Sequence, residues 1–235
     1  MKIVSLNIRH GGGKRTSQIL DWLVRMVADV CILCEWRSNR SGLDIQLALQ
    51  ESGYQTAGYS RSASENGVLV ATRSEPICSR LTPAASTKGE IVRVTIASLS
   101  LLCGYFPQRH EKKPFFEVVT TELRQASRPT ILIGDLNTGR NDIDLEEGAS
   151  SFYCTDEFEN LALVGGATDL WRLANGRSAR EWSWRSSKNG FRIDHAFGNA
   201  IFTSAYPDCR CWYDHSTRLD QISDHSALLV ELDAK

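Results

Sequence analysis

Residues Ile131–Asn137 read ILIGDLN, a short apolar run that ends in a carboxylate and an amide. An unbroken apolar run of this length, bounded by turn-forming residues, predicts a fully buried strand at Thr130–Gly134. Asp135 and Asn137 follow at its end. They are two residues apart, so both side chains point to the same side of an extended chain. Taken alone, such a strand-end aspartate is also a common turn residue.

The same arrangement recurs along the chain. Asn7 ends the run IVSLN, and His225 lies just before the apolar run ALLV. The carboxylates at or beside strand ends are Glu35, Asp135, Asp194 and Asp224. If these strand ends converge, the clustered negative charge requires a cation or a proton to compensate it. Oxygen ligands favour Mg²⁺ or Mn²⁺ over zinc, so the pattern predicts a site for one of these ions.

Strands outnumber helices in the predicted secondary structure, and the two alternate in both halves of the chain. The predicted strands are Lys2–Ile8, Asp29–Glu35, Gly67–Ala71, Ile91–Ala97, Leu99–Tyr105, Thr130–Gly134, Arg192–Phe197 and Ala227–Glu231. The predicted helices are Leu43–Gln50, Pro114–Ala126 and one capped by Thr16 or Ser17, with Ile19, Leu20, Leu23, Val24 and Val27 on one face. The middle of the chain is predicted to be rich in loops. Several strand connections are too short for crossover helices, which favours stacked sheets with helices outside over a doubly wound sheet.

Length and composition predict one globular domain covering residues 1–235. The chain has 235 residues, of which 42% are hydrophobic and 23% charged, and these values exclude disordered and coiled-coil classes. It has no apolar run long enough for a membrane helix, so we expect no membrane association. The N-terminus enters an apolar run directly, without a signal-peptide pattern, so we expect the mature chain to start at Met1.

The seven cysteines form no repeating framework. We expect reduced, buried thiols in a cytoplasmic protein, with Cys31, Cys34, Cys78 and Cys103 in apolar runs. The alternative is a zinc site at Cys31–Cys34 and Cys209–Cys211, which the strand context and the short spacing disfavour.

The net charge of −1 hides two opposed regions. Between residues 141 and 160 there are seven acidic residues and no lysine or arginine. Between Arg172 and Arg192 there are six basic residues and one acidic residue. A local basic stretch can bind phosphate although the whole chain is nearly neutral, and the alternative is a solvated loop.

Six motifs in order resemble the endonuclease/exonuclease/phosphatase superfamily, and within it the exonuclease III-like apurinic/apyrimidinic endonucleases. The motifs are SLNI at 5–8, LCE at 33–35, GYFPQ at 104–108, GDLN at 134–137, GFRID at 190–194 and SDH at 223–225. The resemblance spans nearly the whole chain. It implies an α/β fold, a four-layer α/β sandwich in which two stacked mixed sheets are flanked by helices.

Four features depart from the family pattern. Arg9 stands where many relatives have asparagine or aspartate, and Cys34 replaces a common glutamine. The run Gly11–Gly13 predicts an unusually flexible first loop. The chain is also shorter than typical DNA-repair members, so these departures concern the substrate more than the reaction.

The resemblance implies a Mg²⁺-dependent hydrolase of phosphodiesters, with Mn²⁺ as a substitute. Glu35 would hold the metal, helped by Asn7 and Asp224. The implied catalytic residues are Tyr105, Asp135, Asn137, Asp194 and His225. Asp135 would activate water, and Asp194 would keep His225 protonated as a donor to the phosphate. For Tyr105, the alternative is an aromatic side chain packed at a strand end.

DNA is the expected substrate, cut at abasic sites, trimmed from its 3′ ends, or both. Trp184, Arg185 and Phe191 interleave aromatic rings with a cation, which suits contacts to bases or sugars, and Arg109 suits a backbone phosphate. Trp182 and Trp184 alternate along a predicted strand, and we expect Trp182 to be a core residue. Lys112, close to Arg109, also suits a backbone phosphate, and the alternative for both cations is a solvated helix start. Rival functions are a phosphoesterase acting on RNA, a phosphoinositide or another small phosphodiester, and a non-catalytic binding module. We expect a monomer without an obligate protein partner.

Overall fold

Two six-stranded sheets lie face to face in the computed structural model, which describes residues 1–233. The last two residues of the domain predicted over 1–235 lie outside the described part. The strands are β1 (Lys2–Asn7), β2 (Val30–Trp36), β3 (Gln55–Tyr59), β4 (Gly67–Thr72), β5 (Ile77–Arg80), β6 (Glu90–Ile96), β7 (Leu99–Tyr105), β8 (Thr130–Asp135), β9 (Thr168–Asp169), β10 (Trp184–Arg185), β11 (Gly190–Phe191), β12 (Asp194–Gly198), β13 (Arg210–Asp214) and β14 (Ala227–Glu231).

Along the described part of the chain, seven helices alternate with groups of these strands. They are α1 (Thr16–Met26), α2 (Arg40–Glu51), α3 (Lys113–Gln125), α4 (Thr155–Leu163), α5 (Leu170–Asn175), α6 (Ala200–Ala205) and α7 (Ser216–Leu219). None of the helices in residues 1–233 combines the length and apolar character needed to cross a lipid bilayer.

Each sheet contains both parallel and antiparallel pairs. The first sheet has the order β13-β14-β1-β2-β4-β3, and the second has β5-β6-β7-β8-β12-β9. The parallel pairs are β1 with β2 and β7 with β8. In both pairs the connecting chain carries a helix, as parallel neighbours require. Four of the predicted site residues lie at the carboxyl ends of these strands: Asn7, Glu35, Tyr105 and Asp135.

Apolar side chains fill the space between the sheets and both outer faces. Ile32 and Val70 of the first sheet meet Leu101 and Ile133 of the second in one buried cluster. A second cluster joins the first sheet to α1 and α2, and a third joins the second sheet to α3 and α4. The order is therefore helices, sheet, sheet, helices. This confirms the predicted four-layer α/β sandwich with two stacked mixed sheets.

Helix α1 differs from its prediction in its start and in its buried face. A 3₁₀ turn leads into it, and Arg15 is its N-terminal cap residue, without a side-chain capping bond, so neither Thr16 nor Ser17 is the cap. Ile19 and Leu23 are buried as predicted, whereas Val24 and Val27 are 67% and 69% exposed. Trp22 is fully buried and donates from its indole to Asp214, so the apolar face is rotated toward this larger side chain.

Other predictions also need correction. The middle of the chain contains α4 and α5 rather than loops alone, and short helices of this kind carry little periodicity. The strand predicted from Arg192 begins at Asp194. Trp182 is half-buried, whereas the neighbouring Ser183 is fully buried, so Trp182 is not a core residue.

The cysteines agree with the expectation of free thiols. All seven are unpaired, and Cys78 and Cys154 are only half-buried. Cys31 and Cys34 point to opposite faces of β2, into two different apolar clusters, which rules out the shared zinc site weighed from their spacing.

Candidate active site

Strand register places three of the predicted catalytic residues side by side across the second sheet. Tyr105 at the end of β7 is paired with Asp135 of β8, and Asp135 is paired with Asp194 of β12. Directly paired residues project to the same face of a sheet. The row therefore presents a phenol and two carboxylates to the first sheet, at the end where β1 and β2 also finish.

Asn7 joins the two sheets at this point. Its Nδ2 donates to Asp135 Oδ2 at 2.9 Å and to Glu35 Oε1 at 3.1 Å. Its Oδ1 already accepts a hydrogen bond from the backbone N–H of Arg9 at 2.9 Å. The structure thus places Asn7 as a bridge between two carboxylates, and its oxygen is engaged by the backbone.

His225 and Asp194 form a buried pair. Asp194 Oδ2 lies 2.8 Å from His225 Nδ1, and both residues are at most 5% exposed. Burial by itself lowers the pKa of His225, but the charge and hydrogen bond of Asp194 outweigh it and raise the pKa to about 10. His225 is therefore an imidazolium at neutral pH. With Nδ1 held by Asp194, its Nε2–H is the group left to act as a donor.

Asp135 is the most deeply buried carboxylate of the cleft. Burial, followed by the charge of Asp194, raises its pKa to about 7, although His225 and Asn7 act in the opposite direction. Its Oδ1 accepts from the backbone N–H of Asn137 at 2.9 Å. Asn137 in turn donates from Nδ2 to the carbonyl of Phe106 at 2.8 Å. Asp135 is thus fixed in direction and able to exchange a proton near neutral pH.

Glu35 and Asp224 lie at the mouth of the same cleft, which has a volume of about 240 Å³. Glu35 interrupts the register of β2 between Cys34 and Trp36 and has a φ of 58°, so it occupies a bulge. Its Oε2 accepts from the backbone N–H of His10 at 2.9 Å. The side chains of Glu35 and Asp224 are 16% and 33% exposed, which leaves both accessible from solvent.

The residues of this cleft fit a divalent cation. Asp224 Oδ1 is buried and accepts no hydrogen bond from the described residues, although the Nε atom of Arg9 lies 3.3 Å from it. Oxygen donors of this type match Mg²⁺ and Mn²⁺. Among the described residues, Asp135, Asp194 and His225 also form a compact ligand-type group, with atoms within 4.8 Å of one another. Asp194 and His225 are already hydrogen-bonded to each other, so the accessible Glu35 and Asp224 are the better placed ligands.

Tyr105 has a polar partner that the sequence did not indicate. Asn66 donates from Nδ2 to the Tyr105 hydroxyl at 3.2 Å, and Arg37 Nε donates to Asn66 Oδ1 at 2.6 Å. Burial, and then the charge of Glu35, raise the pKa of Tyr105 far above its ordinary value, so the phenol keeps its proton. Asn66 lies in a polar loop before β4, where the sequence offers only an Asn-Gly turn signal.

A second pocket of about 250 Å³ opens beside the cleft. Trp184 of β10 is paired with Phe191 of β11, with ring centroids 5.5 Å apart, and Phe152 packs against Phe191 at 5.7 Å. Trp184 borders both the cleft and the pocket and donates from Nε1 to Asp224 Oδ2 at 3.1 Å. Arg109 also lines the pocket. The predicted aromatic residues are therefore brought together next to the catalytic row.

Lys112 and Phe152 also line this pocket, and of the two only Phe152 was not predicted from the sequence. Lys112 is 1% exposed and donates from Nζ to the carbonyl of Asn137. Burial lowers the pKa of Lys112 to about 8. Lys112 is therefore not part of a solvated helix start. For Phe152, the aromatic pair in the polar run SSFYC was a usable hint in the sequence.

Within residues 1–233, three of the six basic residues of the basic stretch form ion pairs with acidic residues, and those of Arg172 and Arg192 are buried. Arg192 is fully buried and contacts Asp144 and Asp169, each at 2.6 Å. Arg172 is also buried and contacts Asp144. Neither can reach a substrate, which corrects the expectation that the whole stretch from 172 to 192 forms a binding surface.

Arg185 remains partly accessible. Its Nη2 lies 3.0 Å from Glu146 Oε2, and its side chain is 37% exposed. It lies on the same short hairpin as Trp184, so it is near the pocket although it already has an acidic partner.

The run Gly11–Gly13 is more constrained than predicted. Gly11 and Gly12 are buried, and Gly11 donates from its backbone N–H to the carbonyl of Glu35 at 2.8 Å. Gly11 has a φ of 78°, and a β-carbon there would lie 3.1 Å from the Asn39 side chain. The glycines thus permit a tight, hydrogen-bonded loop beside Glu35, in place of the flexible loop expected.

Three solved structures resemble the whole chain. They are the 3′ phosphatase NExo from Neisseria bound to a product DNA hairpin (TM-score 0.84, 23% identity), an AP endonuclease from Archaeoglobus fulgidus (0.83, 20%) and the 3′-5′ exonuclease NExo from Neisseria meningitidis (0.83, 23%). In each case the alignment covers 100% of both chains. At these identities the likeness shows the fold.

The sequence itself shows the family. No curated protein sequence matches the chain significantly. The profile of the Endonuclease/Exonuclease/phosphatase family, however, matches residues 4–225, which include every residue of the cleft. The chain therefore belongs to the Endonuclease/Exonuclease/phosphatase family and is a hydrolytic enzyme that acts on phosphate esters.

Proposed function

We propose that the protein is a Mg²⁺-dependent phosphodiesterase that acts on DNA, cutting at abasic sites, trimming 3′ ends, or both. One observation carries the proposal: the row Tyr105–Asp135–Asp194, with His225 paired to Asp194, lies directly beside an aromatic pocket. The three similar structures are named as a DNA-bound 3′ phosphatase, an AP endonuclease and an exonuclease, which supports a nucleic-acid substrate.

Glu35 and Asp224 are the residues that would hold Mg²⁺, or Mn²⁺ as a substitute. Asn7 orients Glu35 through its amide, and Trp184 fixes one oxygen of Asp224. A divalent ion bound there would supply positive charge to the phosphate as negative charge develops in the transition state. The bulge at Glu35 and its bond from the backbone of His10 keep this carboxylate directed into the cleft.

Asp135 would take the proton from the attacking water. A base works best when its pKa is near the working pH, and burial with the charge of Asp194 brings the pKa of Asp135 to about 7. Hydrogen bonds from Asn7 and from the backbone of Asn137 hold the carboxylate in one orientation. Asn137 therefore acts as a positioning residue for Asp135.

His225 and Tyr105 would donate hydrogen bonds to the phosphate from two sides. Asp194 keeps His225 positively charged and holds its Nδ1, so Nε2–H is left to interact with a phosphate oxygen. The Tyr105 hydroxyl accepts from Asn66, so its own proton is free to be donated. Both donors are held before substrate arrives, which reduces the reorganisation needed in the transition state.

The aromatic pocket would receive the sugar or base next to the bond that is cut. Trp184 borders both the catalytic cleft and the pocket, and Phe191 and Phe152 give the pocket apolar walls. Aromatic contacts of this kind suit nucleic acid, because any base can stack on an aromatic ring whatever the nucleotide sequence. Arg109 is exposed at the rim, where it could contact a backbone phosphate, and Arg185 lies on the same hairpin as Trp184.

A smaller substrate is the second candidate, and one observation favours it. Arg172 and Arg192 are buried in ion pairs and Arg185 is paired with Glu146, so much of the basic stretch is already neutralised. An RNA end, a phosphoinositide or another small phosphodiester would need fewer phosphate contacts than duplex DNA.

The cytoplasmic location and the monomeric state expected from the sequence stay predictions.

A gel assay on matched duplexes tests the proposal. One duplex carries a single abasic analogue and the other does not, and each is incubated with Mg²⁺ or with EDTA. We expect cleavage at the analogue, or shortening from the 3′ end, in Mg²⁺ but not in EDTA. The variant Glu35→Gln should lose this cleavage. Cleavage in EDTA would contradict the metal requirement. No cleavage of either duplex, with turnover of a small phosphodiester, would favour the second candidate.

A further inference from the structure

Lys112 is a buried cation to which the described structure gives no acidic partner. It is 1% exposed and ends the 3₁₀ turn that leads into α3. Arg172 and Arg192 are also buried, but both contact carboxylates. Lys112 forms no ion pair within residues 1–233, and its Nζ donates to the backbone carbonyl of Asn137. A buried charge without a counter-charge is costly, so this bond is the feature that accounts for the position of the amine.

Asn137 is held in a tight turn by hydrogen bonds on both sides of its α-carbon. It has a φ of 52°, a left-handed conformation that persists only where neighbours hold it. Its N–H donates to Asp135 Oδ1 at 2.9 Å, and its Nδ2 donates to the carbonyl of Phe106 at 2.8 Å. Its own carbonyl accepts from Lys112. Lys112 therefore holds the peptide group that follows Asn137, while Asp135 is bonded to the peptide group that precedes it.

These two bonds together fix the dihedral angles of Asn137 and the direction of its N–H. Asp135 Oδ1 accepts from that N–H, so a shift of the turn would move the carboxylate. Burial lowers the pKa of Lys112 to about 8, whereas Cys154 and Asp135 act in the opposite direction. Lys112 is therefore mainly an ammonium at neutral pH. Because an attraction between two charges is mutual, this ammonium also favours the ionised form of Asp135.

We propose that Lys112 is a positioning residue for the base Asp135, acting through the backbone of Asn137. The proposal rests on the proposed function, because the role of Asp135 as the base is part of that function. Lys112 does not touch the substrate in this role, so its removal should slow the chemical step. A direct contact between Lys112 and a backbone phosphate would instead act on affinity.

Steady-state kinetics of Lys112→Met tests the proposal. Methionine has a similar volume but neither the charge nor the donor. We expect kcat to fall about ten- to a hundredfold, as for a small misplacement of a catalytic group, while KM stays within about twofold of the wild type. Lys113→Met is the matched control, because Lys113 is exposed and pairs with Glu157, and it should leave kcat unchanged. The substrate is the duplex with the abasic analogue in Mg²⁺, or a small phosphodiester if the duplex is not cleaved.

Two further measurements separate positioning from a general structural defect. In an Asp135→Asn background, Lys112→Met should add little to the loss of kcat, because the group that it positions is already inactive. A structural defect would multiply the two losses. The amide signal of Asn137 in a ¹⁵N NMR spectrum reports its bond to Asp135, and it should shift in Lys112→Met but not in Lys113→Met.

An unchanged kcat and an unchanged Asn137 signal in folded Lys112→Met would overturn the proposal and leave the proposed function intact. So would a raised KM with the wild-type kcat, which would assign Lys112 to phosphate binding, or a full additional loss in the Asp135→Asn background. If Lys112→Met does not fold, Lys112→Gln is the second variant, because its amide is one bond too short to reach the same place, and the same fall in kcat is expected. A wild type that hydrolyses neither substrate would overturn this inference and the proposed function together.

Discussion

Left-handed backbone conformations concentrate around the cleft. Arg9, His10 and Glu35 have φ values of 53°, 54° and 58° on the metal side, and Arg109 and Asn137 have 55° and 52° beside the pocket. Such conformations cost about 1–3 kcal/mol each for residues other than glycine and persist only where neighbours hold them. The fold therefore contains destabilising backbone conformations at the residues whose side-chain orientation matters for phosphate chemistry.

Asp135→Asn tests the assignment of the base at the level of a single residue. The substitution keeps the shape but removes the proton acceptor, so we expect kcat to fall by about 10²–10⁴-fold. Substrate affinity should stay the same or increase, because one negative charge facing a phosphate is lost. Single-turnover rates and equilibrium binding on the same DNA separate the two effects. An unchanged kcat with a raised KM would assign Asp135 to binding instead.

His195 gives a test of stability against pH that is separate from catalysis. It is fully buried, and Nε2 lies 2.7 Å from the carbonyl of Thr138. Burial, followed by the charge of Arg192, lowers its pKa from 6.5 to about 4. Between these two pKa values, His195 binds a proton in the unfolded chain but not in the folded protein. The free energy of unfolding therefore has its full value above pH 6.5 and decreases as the pH falls toward 4, by an amount on the order of 3 kcal/mol.

The measurement is urea unfolding at several values between pH 7 and pH 4. His195→Gln keeps a donor for Thr138 but cannot titrate, so its free energy of unfolding should fall less steeply with acid than that of the wild type. His110→Gln, at an exposed position, should follow the wild type. If the wild type and His195→Gln decline in parallel, another group causes the acid sensitivity.

At the level of strands, two local interruptions determine where the acidic groups point. The bulge at Glu35 adds a residue to β2 and turns the carboxylate into the cleft. In β8, Gly134 has a φ of 147° and faces Gly104 of β7 in the register. The bulged residue is itself the metal-side carboxylate, and Gly134 directly precedes the catalytic carboxylate Asp135. The ends of regular strands are thus adapted to bring Glu35 and Asp135 toward each other.

The sequence predicted the strands that carry the site better than the elements around them. Apolar runs such as ILIGD are buried on both faces, so their position and their polar ends could be recognised directly. Helix α1 was placed correctly, and Ile19 and Leu23 of its predicted face are buried, but Trp22 rather than Val24 completes that face. The choice between two apolar faces of one helix depends on the volume available in the tertiary structure, which periodicity does not contain.

Gly134→Ala tests whether the close approach of β7 and β8 is required. A β-carbon at this position would lie 1.9 Å from the carbonyl oxygen of Gly104, so the two strands would have to separate. We expect a loss of about 3 kcal/mol or more in the free energy of unfolding. Gly148→Ala is the control, since Gly148 has a φ of 80° and no atom within 4 Å of the added carbon. It should cost only about 1 kcal/mol.

Thermal melting and urea titration measure the loss in the free energy of unfolding for both variants. A loss in Gly134→Ala no larger than in Gly148→Ala would mean that the strands adjust without cost. Because Tyr105 and Asp135 flank this contact, we also expect the rate of hydrolysis to fall in Gly134→Ala even where the protein remains folded.

On the scale of the whole molecule, three cations of the basic region form ion pairs with two acidic residues of the acidic region. Asp144 is fully buried between Arg172 and Arg192, and their charges outweigh the effect of burial and lower its pKa. Glu146 pairs with Arg185 in the same way nearer the surface. The sequence showed the two charged regions but not their pairing, since that depends on contacts between residues about 30 to 50 positions apart, which only the fold creates.

This pairing affects how strongly the affinity for DNA should depend on salt concentration. Each phosphate contact made by a free cation steepens the fall of affinity with salt by about one unit on a double logarithmic plot. Arg109 is exposed at the pocket rim and has no ion-pair partner within residues 1–233, so Arg109→Gln should flatten the slope by about one unit. Arg185 must first leave Glu146, so Arg185→Gln should change the slope by less.

Fluorescence anisotropy with a labelled duplex, repeated over a salt series, measures these slopes for the wild type and both variants. Phe191→Ala is the companion variant, because it removes an aromatic wall without removing a charge. We expect it to weaken binding about ten- to a hundredfold at every salt concentration, with an unchanged slope. A larger slope change in Arg185→Gln than in Arg109→Gln would place the phosphate contacts on the hairpin of β10 and β11. The ion pair with Glu146 would then have to open when DNA binds, and Glu146→Gln should tighten binding by freeing the arginine.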